Sequence, residues 1–177
     1  GLNFLMPQDF ISLACGEGRS AGWSKRELTW RILPEVAGLA SELGVDNPSL
    51  RDRFALAGLL ADRLDQYGHF RPEMIRSWAK NHRAFLESEA KTFYEAEKWQ
   101  RALWHTLSDQ WAAPHPAVEI ERHLADAGFA EALGQRFPRL LMLGTGSLDP
   151  IMVELLELLA SAGGEVEVHV VVPSLGF

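Results

Sequence analysis

Between Arg139 and Pro173 the chain reads as strand, helix, strand, and no other run constrains the fold as much. Leu140-Leu-Met-Leu is a compact apolar run of strand length. Gly144-Thr-Gly-Ser-Leu-Asp-Pro follows it and opens a helix with Ile151, Val153, Leu155, Leu156, Leu158 and Leu159, apolar on most sides. Gly163-Gly164 ends that helix. Val166, Val168, Val170, Val171 and Val172 are β-branched and read as a buried strand. Two strands joined through a helix within about 35 residues make a βαβ unit and imply a parallel pair. Residues 138–177 therefore belong to an α/β sheet whose other strands lie elsewhere, and residues 1–137 read as mainly helical.

The helical part is built around Leu59–Leu107. Leu60, Leu64 and Tyr67 fall on one helix face at spacings of four and three. Gly68 is expected to end that helix in the left-handed conformation. Pro72 suits the first turn of the next, where its missing N–H costs nothing. Met74 or Ile75 then shares a side with Trp78. Trp99, Leu103, Trp104, Leu107 and Trp111 form a third, aromatic stripe, expected to pack on the Leu60–Tyr67 face.

Upstream, Asn3–Met6 reads as a short strand, and Pro7 starts a helix with Phe10, Ile11 and Leu13. Ser24 and Glu27 have capping-box spacing. The helix they open would bury Leu28, Ile32, Val36 and Leu39, with Pro34 kinking or breaking it. Gly44–Pro48 is a turn, and Ser49 caps the next helix. Residues 81–92 are polar and weakly helical. Pro114 and Pro116 mark a loop, and Val118–Leu124 and Phe129–Leu133 read as helices. The ends read as cut from a longer chain.

Apolar residues are 47% of the sequence, an ordinary share for a folded domain. No apolar run approaches the roughly 20 residues that span a bilayer, and no export signal opens the chain. The single cysteine, Cys15, allows neither an internal disulfide nor a cysteine zinc site. A cytoplasmic protein fits these features. The net charge of −7 argues against a free-standing nucleic-acid binder, though not against a local basic strip.

Candidate chemistry is sparse. Gly16-Glu-Gly-Arg-Ser-Ala-Gly-Trp-Ser-Lys25 departs from the phosphate loop, because Trp23 stands where lysine belongs; it reads as a flexible loop. After the 140–143 strand, Leu143-Gly144-Thr145-Gly146 lacks the acids that hold magnesium in an ATPase. Asp149 is better placed as a helix cap. Glu89-Ala-Lys91 has nuclease-like spacing but lies in a helical pattern, where a solvated face explains it. Histidines 69, 82, 105, 115, 123 and 169 form no ligand pair. No catalytic residue, metal site or cofactor is assigned. The local positive excess is Arg71, Arg76, Lys80 and Arg83, with His69 and His82 beside them. These four cations are the candidate DNA contacts, set against Glu87 and Glu89.

The same residues carry a likeness. "LADRLDQYGHFRPEMIRSW" followed by "WQRALWHTL" resembles the "ADLFDQYxxYRPxWxxxW" and "WQxxLWxxL" segments of the exodeoxyribonuclease V gamma chain, the RecC family. "FLMPQDFISL", "WSKRELTWRILPEV" and "RLLMLGTGSLDPIMVELLELLA" resemble that family's other N-terminal segments in the same order. The resemblance implies an α/β, mainly helical fold: a helical subdomain (residues 1–137, like helicase subdomain 1B) inserted in a partial superfamily I helicase-like α/β domain (138–177, like subdomain 1A). It implies a non-catalytic region that guides unwound DNA and assembles with other subunits of an ATP-dependent helicase–nuclease for double-strand break repair. The isolated region would bind DNA weakly and no membrane. The alternative is part of an active AddB-type helicase or nuclease subunit whose catalytic motifs lie outside this segment.

Overall fold

The computed structural model describes residues 6–15, 23–85, 91–110, 113–143 and 148–169. The chain divides into two compact units: residues 18–119 form one, and residues 1–17 with 120–177 form the other. Nine helices and two strands occur among the described residues.

The first unit is helical: α2 (Lys25–Ile32), α3 (Val36–Leu39), α4 (Leu50–Phe70), α5 (Pro72–Ala79) and α6 (Lys91–Asp109). The Ser24 hydroxyl accepts from the Glu27 N–H and caps α2. That helix stops at Ile32, two residues before Pro34, and the chain resumes as α3. Leu28, Ile32 and Val36 are buried as expected, while Leu39 is half-buried. A full capping box between Ser49 and Asp52 opens α4. Packing of α4 is most extensive against α2. The two run antiparallel, because Lys25 pairs with Asp62 while Trp30 meets Phe54, with ring centroids 5.5 Å apart.

Gly68 does not end α4. The helix continues to Phe70 and stops at Arg71, the residue before Pro72, which leaves helical geometry at φ −140° and ψ 52°. Glycine is needed at 68 for space: a Cβ there would stand 2.8 Å from Cε1 of buried His115. Pro72 occupies the first turn of α5. That helix ends on Asn81, whose φ is 60°. The Asn81 N–H donates to the Trp78 carbonyl and the His82 N–H to that of Ser77, so residues 81–85 break the chain between α5 and α6.

The core of this unit is a run of rings. His115 meets Trp23 edge-on at 4.7 Å, and Trp23 stacks on Trp104 at 6.3 Å. Trp104 contacts Trp78 at 6.4 Å, and Trp78 meets Tyr67 edge-on at 6.1 Å. Leu60 and Leu64 are buried, and the expected link from their face to α6 is made by the Tyr67 hydroxyl, which donates to Gln100 Oε1 at 2.9 Å. Trp111 lies outside the described residues.

α7 (Pro116–Leu124) begins in the helical unit and ends in the other. His115 precedes it, and its Nδ1 accepts from the Ala117 N–H at 3.1 Å. The second unit also holds α1 (Pro7–Cys15), α8 (Ala127–Arg136), β1 (Arg139–Leu143), α9 (Pro150–Ser161) and β2 (Glu165–His169). The strands pair in parallel with Leu140 opposite Val166 and Met142 opposite Val168, the βαβ unit expected. α9 buries Ile151, Met152, Leu155, Leu156 and Leu159, and α1 joins the same unit where Phe10 meets Phe137 edge-on at 5.1 Å. Gly163, at φ 87°, reverses the chain after α9.

Two further expectations need correction. β2 is largely exposed rather than buried, since among the described residues it pairs only with β1. The face with Arg139, Glu165 and Glu167 carries ion pairs at 3.6 and 3.7 Å instead of apolar packing. Asp149 does occupy the N-cap of α9, but its side chain makes no capping hydrogen bond. The Asn3–Met6 strand, the Gly16–Gly22 loop, Gly144–Gly146 and Val170–Val172 lie wholly or mostly outside the described residues.

Candidate nucleic-acid interface

The four candidate cations differ in exposure. Arg71 and Lys80 are exposed, at the two ends of α5. Arg76 is half-buried, and its Nε donates to the Ala117 carbonyl at 2.9 Å, which ties α5 to the start of α7. The Arg83 guanidinium lies 3.8 Å from the Tyr94 ring centre and donates to the Tyr94 carbonyl at 3.4 Å. Arg76 and Arg83 thus have structural contacts that a phosphate would have to displace. His82 is exposed, and His69 Nε2 lies 3.9 Å from Asp65. Desolvation raises the Asp65 pKa above the usual carboxylate value, against the pull of His69.

Beside Arg71, the helical unit has a cavity of about 320 Å³ bordered by α4, α5 and α6. Tyr67, Phe70, Phe85 and Phe93 line it with Arg63 and Arg71. One wall is set by Glu97, a carboxylate only 2% exposed. Its Oε1 accepts from Trp78 Nε1 at 2.8 Å and from the Ala84 N–H at 2.6 Å, and its Oε2 accepts from the Phe85 N–H at 3.3 Å. Three donors satisfy its oxygens, as buried polar groups require. It pins residues 84–85 to α6 and so positions Phe85 against Phe93, with ring centroids 5.9 Å apart.

Sequence reasoning missed this cluster. A signal was present: Phe93, Glu97, Gln100, Trp104 and Leu107 share one face of α6 at spacings of four, three, four and three. Polar Glu97 and Gln100 interrupt an apolar stripe there, which points to a buried polar network. No signal joins that face to Arg63 and Phe70, because their meeting depends on how the helices fold back.

The remaining candidates stay apart. Lys91 begins α6, and Glu89 lies outside the described residues. His123 stacks on Phe129 at 4.3 Å, and His169 bonds Glu167 at 2.6 Å. Among the described residues no three His, Cys, Asp or Glu are grouped to hold a metal ion, and no helix is long and apolar enough to cross a membrane.

A helical unit in one chain with a parallel strand–helix–strand unit defines a mainly helical α/β protein. The chain belongs to the RecC family: the description "RecC, N-terminal domain" matches residues 1–176. It is 26% identical over 165 residues to the RecBCD enzyme subunit RecC of Escherichia coli strain K12. That match covers 85% of this chain and 14% of the relative, so the chain spans a small part of the relative's length. Of the two subunit types that the sequence left open, RecC is the one matched.

Proposed function

We propose that this chain is the DNA-guiding and assembly region of a RecC-type subunit, without catalysis of its own, in an ATP-dependent helicase–nuclease that serves double-strand break repair. Partner subunits would supply the motors and the nuclease. In this reading the helical unit is a subdomain inserted in a superfamily I helicase-like α/β domain. The chain order supports it, since both ends fall in one unit and residues 18–119 form the other.

The placement of Arg71 and Lys80 carries the DNA reading. They bracket α5 nine positions apart, about 13 Å along the axis at a rise of 1.5 Å per residue, and both face solvent. The charge distribution favours them further. Residues 18–119 hold fourteen Lys and Arg against fourteen Asp and Glu, a net of zero, so the rest of the chain carries the whole −7. The helical unit therefore lacks the acidic surplus that would repel phosphates.

Fluorescence anisotropy with a labelled single-stranded oligonucleotide at two salt concentrations tests this. Binding should weaken with salt by a slope of about 0.7 per phosphate contact. The Arg71→Glu/Lys80→Glu protein should bind all sequences more weakly by a similar factor, because phosphates carry no sequence information. Salt-insensitive or strongly sequence-selective binding would contradict the guiding role.

A further inference from the structure

We propose that the exposed face where α2 meets the start of α4 docks an acidic, amphipathic helix of another protein, with Trp30, Leu50 and Phe54 as its apolar anchors and Arg26 and Arg51 as its charged rim. This rests on the assembly part of the proposed function and stands apart from the DNA contacts. Phe54 and Arg71 are seventeen positions apart, about 25 Å along α4 at a rise of 1.5 Å per residue.

Exposure comes first. Trp30 is 60% exposed, Phe54 46% and Leu50 69%. The core of this unit is filled by Trp23, Trp78 and Trp104 instead. The three exposed side chains are not scattered. The rings of Trp30 and Phe54 meet across the two helices at 5.5 Å and 63°, and Leu50 lies one turn before Phe54 on the same side of α4. Single exposed apolar residues are ordinary on a protein surface, but contiguous ones mark a site of interaction. Tryptophan and arginine are also the residues that most often anchor protein interfaces.

Charge then selects the partner. Within Lys25–Ile32 and Leu50–Phe54, five cations stand against two carboxylates, Glu27 and Asp52. Each of those acids bonds the serine that caps its helix. Lys25 is taken up by Asp62, and Arg31 donates to the Gln110 carbonyl. Arg26 lies one turn before Trp30, and Arg51 one turn before Phe54. Both are exposed, and neither has an ion-pair partner among the described residues. The apolar patch is thus flanked by cations open to carboxylates. Two antiparallel helices present ridges on which a third helix packs, and such a helix is read through apolar anchors at i, i+3, i+4 and i+7. Leu50 argues for protein over nucleic acid, because an aliphatic side chain gains from an apolar stripe and little from a phosphate backbone.

The test sets two synthetic helical peptides against the 177-residue chain, read by anisotropy of a label on the peptide. Both carry leucine at i, i+4, i+7 and i+11; one has glutamate on its polar face and the other lysine. The glutamate peptide should bind at least about tenfold tighter, since like charges facing each other oppose docking, and should weaken as salt rises. Trp30→Ala/Phe54→Ala should weaken it at least about tenfold, as loss of central anchors does, with circular dichroism confirming the fold. Arg26→Glu/Arg51→Glu should abolish the preference for glutamate. Equal binding of the two peptides, binding of neither, or an affinity unchanged in Trp30→Ala/Phe54→Ala would overturn the proposal and leave the reading at Arg71 and Lys80 untouched. A concentration-dependent dimer in sedimentation velocity, lost in Trp30→Ala/Phe54→Ala, would assign the face to a second copy of this chain. A labelled oligonucleotide released by Arg26→Glu/Arg51→Glu would assign it to nucleic acid. Either result would overturn the docked helix.

Discussion

Gly68 sits inside a helix, where glycine costs about 1 kcal/mol relative to alanine, and His115 accounts for it. The imidazole cannot retreat from a Cβ at 68, because its Nδ1 holds the Ala117 N–H and its ring lies against Trp23. Burial pushes the His115 pKa down to about 3, with repulsion from His69 a smaller cause. The ring is therefore neutral, with its proton on Nε2. The sign of the pH dependence follows. The folded pKa lies below the unfolded value near 6.5, so the unfolded chain binds the proton more tightly. Stability is complete above about pH 6.5 and declines as pH falls toward about 3, by up to about 1.4 kcal/mol per unit from this group. His115→Asn keeps an acceptor for the Ala117 N–H and removes the titration. Urea midpoints at pH 7 and pH 5 should differ less in that variant than in the unmodified chain; an equal difference would show that His115 does not titrate across folding. None of this was legible in the sequence, where His115 was one of six scattered histidines and Gly68 had a helix-ending signature. A close approach between residues 47 positions apart leaves no local pattern.

Elements were more legible than residues, because local chemistry decides their ends. Ser24 and Ser49 cap where their spacing to Glu27 and Asp52 allows, and Pro34 separates α2 from α3. Asn81 was harder to read, since its left-handed turn is one of several conformations open to a polar stretch. Val166 and Val168 lie in a strand as expected, but that strand is largely exposed, because β-branched residues report pleated geometry more than coverage. The Leu60–Leu64–Tyr67 stripe was correctly identified as inward-facing, though α2 rather than α6 is the principal neighbour of α4. On the α6 side a void of about 200 Å³ remains, lined by Leu60, Leu64, Trp99 and Leu103. Leu64→Ala would enlarge it. The substitution should cost about 2–5 kcal/mol, read as a lower urea midpoint with unchanged slope. An unaltered midpoint would mean that this stripe is not core.

At the scale of the whole chain, composition misled where distribution informs. A net charge of −7 describes neither unit: the helical one is neutral, and the other carries the entire deficit. Tryptophan is divided as sharply, for residues 23, 30, 78, 99, 104 and 111 all fall within 18–119. Indole fluorescence therefore reports one unit, while far-ultraviolet circular dichroism reports helices in both. Each unit has its own core, around Trp78 and Trp104 in one and around Leu155 and Leu159 in the other. Chains with two cores depart from two-state unfolding when those cores open separately. Leu155 is fully buried in α9, so Leu155→Ala should cost about 2–5 kcal/mol in its own unit. Its circular dichroism transition should broaden toward lower urea while the fluorescence midpoint stays in place. Leu64→Ala should do the reverse and move the fluorescence midpoint. If Leu155→Ala shifts both signals equally, the two cores unfold as one cooperative body.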